Sequence, residues 1–332
     1  MKKKKEGRAE KASLEEVKKC CKKISLIKNE IGKIVVGQEN IIDGLICTIL
    51  CEGHVLIEGV PGIAKTLVIR ALAEATGCKS KRVQFTVDLL PTDIMGITTY
   101  TPGKGFEIIK GPIFANFVIA DEINRSPSKT QSALLEAMQE RQVTIGKTSF
   151  PLPRPFFVMA SENPLETSGV YPLPEAQIDR FLFKLLMGYP NLEEEDIIMQ
   201  NNITLKKFED FNLKPVTNSN ELMEMQALTK KIYLNKRIRS YILEIVKMTR
   251  TKDFENGKYI EWGASPRASI AMFIASKARA LMDGRNFVMP KDVKKIIYDV
   301  LRHRIMLSYK ARAQGIDSEK LIKEILDKVK VP

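Results

Sequence analysis

Histidine and tryptophan are scarce in this 332-residue sequence, at two and one, and aromatic side chains make up only 7% of it. With only His54 and His303 to offer, and no cysteine pair spaced for a metal beside either, a zinc centre is excluded. The five cysteines are an odd number, which argues against a disulfide framework. Cys47 and Cys51, four apart on one face of a predicted helix, read as small core hydrophobes. Long apolar runs are missing too. The longest stretches without a charged side chain, residues 94–103 and 111–120, hold ten residues each, half of the roughly 20 that a membrane-spanning helix needs. The opening MKKKKEGRAEKASLEEVKK has no apolar segment behind its lysines, so it is no secretory signal, and a cytoplasmic location is expected.

What is present is ordinary globular material, 44% hydrophobic and 28% charged. The length is about twice that of a typical domain of roughly 150 residues, so two domains are expected. The net charge is +13, and residues 1–28 carry +7 of it, from eleven Lys and Arg against four acids. Such a block reads first as a solvated arm and second as a contact for nucleic acid or an acidic partner.

Apolar positions three or four apart predict a first helix over 14–35 and a second over 39–51. HVLIEG (54–59) then reads as a buried parallel strand feeding a loop and a helix over 65–77. Further short apolar runs, RVQFTV (82–87), FVIADE (117–122), FFVMAS (156–161) and FLFKLLM (181–187), repeat that order, the pattern of an α/β fold with a mainly parallel sheet. The Thr-, Pro- and Gly-rich stretch 88–114 reads as an inserted hairpin or loop excursion rather than core, and 142–153 as a hairpin turning at Gly146-Lys147. Beyond residue 190 strands vanish from the pattern. Helical periodicity predicts an all-helical second domain, with helices near 192–202, 219–232, 236–251, 266–283, 290–303 and 318–329.

The strongest chemical signal is Gly59-Val60-Pro61-Gly62-Ile63-Ala64-Lys65-Thr66, set between a strand and a helix. Small residues there let backbone N–H groups curl around a polyphosphate at the helix start, Lys65 adds a full positive charge, and Thr66 can ligate Mg²⁺. The strict phosphate-loop pattern fails only at Ala64, which stands where glycine is usual. FVIADE ends in two adjacent acids, Asp121 to hold hydrated Mg²⁺ and Glu122 to polarise an attacking water. Asn163, after the next apolar strand, could orient that water. Arg180 in PEAQIDRF and Arg267 in WGASPRAS carry the planar, always-protonated fork that suits a triphosphate transition state. On this reading Arg267 draws the helical domain onto the γ-phosphate, and Arg180 reaches a neighbouring subunit's nucleotide.

GVPGIAKT, ADEINRSPSKTQSALLEAMQERQVT, SENP, YPLPEAQIDRF and GASPRA, taken in order, resemble the AAA+ ATPases and more closely their MoxR subfamily, over residues 30–310. The resemblance implies a P-loop NTPase core, with Walker A at Gly59 to Thr66, Walker B at Asp121 and Glu122, sensor 1 at Asn163, an arginine finger at Arg180 and sensor 2 at Arg267. Arg125 is a second candidate for the intersubunit arginine. MoxR-type alanine at position 64 accounts for the pattern's one misfit. Also implied are ATP and Mg²⁺ as cofactors, with Asp121 acting through water, and a homo-hexameric ring. Von Willebrand factor A-type partner proteins and chaperone-like remodelling of protein clients complete the expectation. Residues 1–29 are then a basic arm and the start of the first helix, 30–188 the nucleotide-binding α/β domain, and 191–332 a helical lid. Two alternatives are a nucleic-acid-dependent motor, such as a helicase or loader, and a nucleotide-gated binding scaffold.

Overall fold

A computed structural model describes residues 12–165, 169–202 and 208–332, so the first eleven residues of the basic arm lie outside the described residues. In chain order the α/β part runs α1 (Leu14–Ile31), α2 (Glu39–Leu50), β1 (Val55–Gly59), α3 (Lys65–Ala75), β2 (Ser80–Gln84), α4 (Pro91–Met95), β3 (Gly96–Thr101) and β4 (Gly105–Lys110). It continues with β5 (Phe117–Asp121), α5 (Ser128–Glu140), β6 (Gln142–Ile145), β7 (Thr148–Pro151), β8 (Phe157–Glu162), α6 (Glu175–Ile178) and β9 (Phe183–Met187). The remainder comprises α7 (Leu192–Asn202), α8 (Ser219–Lys231), α9 (Lys236–Thr251), β10 (Ile260–Trp262), α10 (Pro266–Met282), α11 (Pro290–Leu301), β11 (Met306–Leu307), α12 (Tyr309–Ala313) and α13 (Ser318–Lys328).

Five strands form one sheet in the order β2-β5-β8-β1-β9, every pairing parallel. Its central strands are the continuous apolar runs of the sequence because both faces are covered: all five residues of β5 are buried. Parallel strands place every carboxyl end on one edge, so β1, β5 and β8 deliver Gly59, Asp121 and Glu162 to the same side. Phe183 of β9 is in register with Val55 of β1, which puts residues 179–182 at the opposite, amino edge. The length of β1, roughly 15 Å at about 3.3 Å per residue, separates the two edges.

The first helix begins at a reciprocal cap. Ser13 Oγ accepts from the Glu16 N–H at 3.2 Å and the Glu16 carboxylate accepts from the Ser13 N–H at 2.9 Å. Its apolar stripe, Val17, Cys20, Ile24, Ile27 and Ile31, is buried against α3, α8 and α10. One apolar core therefore runs from α1, α2 and α3 into α8–α13 without a break at residue 190. A second core fills the other sheet face under α5.

Three expectations need correction. The second domain is not all-helical, since β10 and β11 pair antiparallel; a three-residue and a two-residue strand are too short to show a period of two. The inserted stretch is a hairpin, β3 with β4, yet its flanks belong to the core: Ile94 and Ile113 are fully buried in the second cluster. Strand β2 starts and ends earlier than its apolar text, because its pairing with β5 begins at Ser80 and stops where Gln84 meets Asp121. The hairpin turning at Gly146-Lys147 is present as β6 and β7, with Gly146 at φ 62°. All five cysteines are free, and Cys47 is buried in the first core.

Candidate nucleotide site

The loop after β1 owes its shape to three small residues. A Cβ on Gly59 would lie 2.7 Å from the Met187 carbonyl oxygen and 2.7 Å from Ile63 Cδ1, so no other residue fits there. Gly62 has φ +83°, and Ala64, at φ 64° and ψ 26°, adopts a left-handed conformation as the cap of α3. That is the position at which glycine is usual; alanine reaches it at a cost of roughly 1 kcal/mol. Ile63 is buried and Val60 packs against the same core, anchoring the loop, while Pro61 and Gly62 are exposed. The first N–H groups of α3 lack intrahelical acceptors, which makes the loop an anion site. Lys65 Nζ donates to the Gly59 carbonyl at 2.7 Å and to the Glu162 carbonyl at 3.3 Å, holding its charge above the loop.

Asp121 sits across from the loop. Its Oδ2 accepts from the Thr66 hydroxyl at 3.1 Å and from Arg82 Nε and an Arg82 terminal nitrogen at 3.0 and 2.7 Å. Its Oδ1 accepts from the Ser161 hydroxyl at 2.5 Å. Burial alone would push this carboxyl up, but the bonds from Ser161, Arg82 and Thr66 outweigh it and hold the carboxyl below its ordinary value. Asp121 is thus an anion at neutral pH. The hydroxyl of Thr66 and the carboxylate of Asp121 are hard oxygen donors facing one another, a set that suits Mg²⁺ and its waters.

Glu122 has a left-handed backbone, φ 56° and ψ 52°, a strain of the kind that marks functional positions. Its N–H is fixed by Ser161 Oγ at 3.0 Å, and Oε2 accepts from Gln84 Nε2 at 2.9 Å and from Arg125 at 3.1 Å. Ser161 therefore braces both acids at once. Asn163 is buried at the end of β8, and its Oδ1 accepts from the Leu165 N–H at 3.1 Å.

The two remaining arginines lie elsewhere. Arg180 donates to the Gln139 side chain at 2.6 Å and to the Leu135 carbonyl at 3.4 Å, at the far end of α5. Arg267 lies 3.7 Å from the carboxylate of Asp179, the residue next to Arg180. Both belong to the amino edge of the sheet. Arg267 therefore stands away from this chain's own phosphate loop, with the sheet's length between them. Sequence reading missed Arg82, Gln84 and Ser161. Two polar residues spaced two apart on one strand face, beside a strand ending in Asp-Glu, were the available signal for Arg82 and Gln84.

Comparison with known proteins identifies the family. Residues 54–183 match the ATPase family associated with various cellular activities (AAA), and residues 254–325 match the AAA lid domain. The chain is 44% identical over 309 residues to Chaperone MoxR1 of Mycobacterium tuberculosis (strain ATCC 25618 / H37Rv), covering 91% of this chain and 81% of that protein. It is 29% identical over 308 residues to Protein MoxR of Paracoccus denitrificans, covering 86% and 90%. The crystal structure of a protein of Cytophaga hutchinsonii ATCC 33406 assigned as an ATPase superposes with a TM-score of 0.90 at 43% identity, covering 96% of this chain and 97% of that one. Identity at this level along nearly the whole chain, with core and lid both matched, means that the chain belongs to the MoxR family of AAA ATPases.

Proposed function

We propose that this ATPase binds ATP with Mg²⁺ at residues 59–66, hydrolyses it within a ring of identical copies, and uses the cycle to remodel protein clients. The observation that carries the ring is the separation of charges. Lys65, Thr66, Asp121 and Glu122 gather at the carboxyl edge of the sheet, while Arg180 and Arg267 stand together at the amino edge. Two arginines that cannot reach their own site can complete the site of a neighbour packed head to tail.

In that reading the N–H groups of the loop and Lys65 cradle the triphosphate, and Thr66 with Asp121 holds Mg²⁺, which would spread phosphate charge. Glu122 orients and takes the proton from water in line with the γ-phosphate, Asn163 fixes that water, and Arg180 and Arg267 of the next copy stabilise charge on the transferring group. The chaperone-like role is supported by the name of the mycobacterial relative. A hexamer, and partners of the von Willebrand factor A type, follow from family resemblance. No helix among the described residues is long and apolar enough to cross a membrane.

The test is steady-state ATPase activity at several protein concentrations, with and without DNA, beside a Glu122→Gln variant. Specific activity that rises with concentration, ignores DNA and is lost in the variant is expected. Strong stimulation by DNA would replace this reading with a nucleic-acid motor, and concentration-independent activity would remove the shared site.

A further inference from the structure

Arg82 and Gln84 stand two residues apart on β2, hence on one face of it, and Gln84 is in register with Asp121. Arg82 puts two donors on Asp121 Oδ2, and its terminal nitrogen also donates to Gln84 Oε1 at 2.7 Å. Gln84 passes its amide N–H₂ to Glu122 at 2.9 Å. The result is a continuous chain of hydrogen bonds, Asp121 to Arg82 to Gln84 to Glu122, that ties together the two acids of the site. Oδ2 is also the oxygen that meets the Thr66 hydroxyl. The guanidinium thus holds the oxygen that faces the metal-side donor, and its side chain, half exposed, has water to swing into.

We propose that Arg82 is a built-in counter-cation for Asp121, in competition with Mg²⁺ for the same carboxylate oxygen, and that Gln84 braces it in that position. This rests on the reading of Asp121 as the magnesium-side acid. Two cations held on one carboxylate oxygen, the metal through a water, repel one another, so Arg82 must give way as the metal enters. Its departure also takes away the donor of the Arg82–Gln84 bond, leaving Gln84 free to turn from Glu122. A nucleotide lacking its metal leaves both acids tied. The arrangement makes the metal, not the phosphate chain alone, the signal that prepares Glu122.

The experiment is a fluorescence titration of a labelled ADP into the full chain at a series of Mg²⁺ concentrations, for wild type, Arg82→Gln and Gln84→Ala. The readout is the Mg²⁺ concentration at half-effect on nucleotide affinity. A half-exposed ion pair is worth about 1 kcal/mol, so Arg82→Gln should lower that concentration about fivefold, and Gln84→Ala should move it the same way by less. Arg82→Lys, which keeps the charge but loses the two-donor grip, should fall between wild type and Arg82→Gln. An unchanged or raised half-point in Arg82→Gln overturns the assignment of Arg82, and no shift in Gln84→Ala overturns the bracing. Thermal melting of each variant without nucleotide separates these results from a loss of fold. Nucleotide binding by wild type that ignores Mg²⁺ altogether would sink the reading of Asp121 and the proposal with it, whereas equal Mg²⁺ dependence in every chain sinks the proposal alone.

Discussion

Arg304, three residues past the end of α11, donates its Nε to the carboxylate of Asp179 at 2.7 Å across 125 residues of sequence. The guanidinium is almost fully buried, and its other donors go to the carbonyls of Asp179, Phe181, Leu182 and Val300. The bond locks the second domain onto the segment that carries Arg180, so it fixes stability and the placement of the arginine pair together. Replacing Arg304 by Met removes a buried cation, takes its donors from several carbonyls and leaves the half-buried Asp179 carboxylate with Ser265 and Arg267 alone. A loss of about 3 kcal/mol in unfolding free energy is expected, read from urea denaturation; a loss below about 1 kcal/mol would contradict the anchor.

Arg180 and Arg267 acting on a neighbour's site can be distinguished from action on their own. Glu122→Gln chains and Arg180→Ala chains, each nearly inactive alone, should regain part of the ATPase activity when mixed, because mixed interfaces pair an intact finger with an intact site. The same holds for Arg267→Ala. No recovery at any mixing ratio would leave the shared site without support.

Ala64 holds a left-handed backbone that glycine adopts freely. Ala64→Gly removes the steric cost of the Cβ and adds unfolded-state entropy, two effects of opposite sign and similar size, each within about 1 kcal/mol. Nucleotide affinity and melting temperature should therefore stay near wild type. Gly59→Ala is the contrast, since its Cβ meets a backbone carbonyl at 2.7 Å that cannot move aside. Calorimetric melting and a nucleotide titration on both variants check the pair; equal damage in the two would refute the account of the loop.

His54 is fully enclosed, accepting from the Val158 N–H on Nδ1 at 3.0 Å and facing the Met138 carbonyl with Nε2 at 3.2 Å. Burial takes its pKa from 6.5 down to about 4, although the Met138 carbonyl opposes the shift. His303 is displaced the same way, first by burial and then by the charge of Arg304. Each is neutral in the folded chain, whereas the unfolded chain binds a proton near 6.5. Stability from both is complete above that pH and declines as the pH falls toward 4. About 3 kcal/mol should be lost from His54 alone over that range. A His54→Gln variant should flatten the pH dependence of the denaturation midpoint between 6.5 and 4; an unaltered slope would exclude His54 as its source.

The site was legible in the sequence where chemistry is local. Gly59 through Thr66 form one contiguous run and Asp121 with Glu122 another, and the parallel order of the strands carries both to one edge. The place of Arg267 could not be read from the sequence because it depends on the seat of the second domain, which is set by Arg302, His303 and Arg304 against β9 and the residues just before it, contacts more than a hundred residues apart. Ile94 and Ile113 were hidden in text rich in turn residues, since burial of an isolated side chain leaves no period behind it. The short pairing of β10 with β11 failed to register for the same reason.

Strand β9 is the outer edge of the parallel sheet, and an open edge invites another chain to add a strand. Here the guanidinium of Arg302 takes the Lys184 carbonyl, that of Arg304 takes the Leu182 carbonyl, and α2 and α11 flank the strand. The segment that seats the lid is thus also a guard against strand addition, so loosening it would open the sheet to aggregation before it touched the phosphate loop.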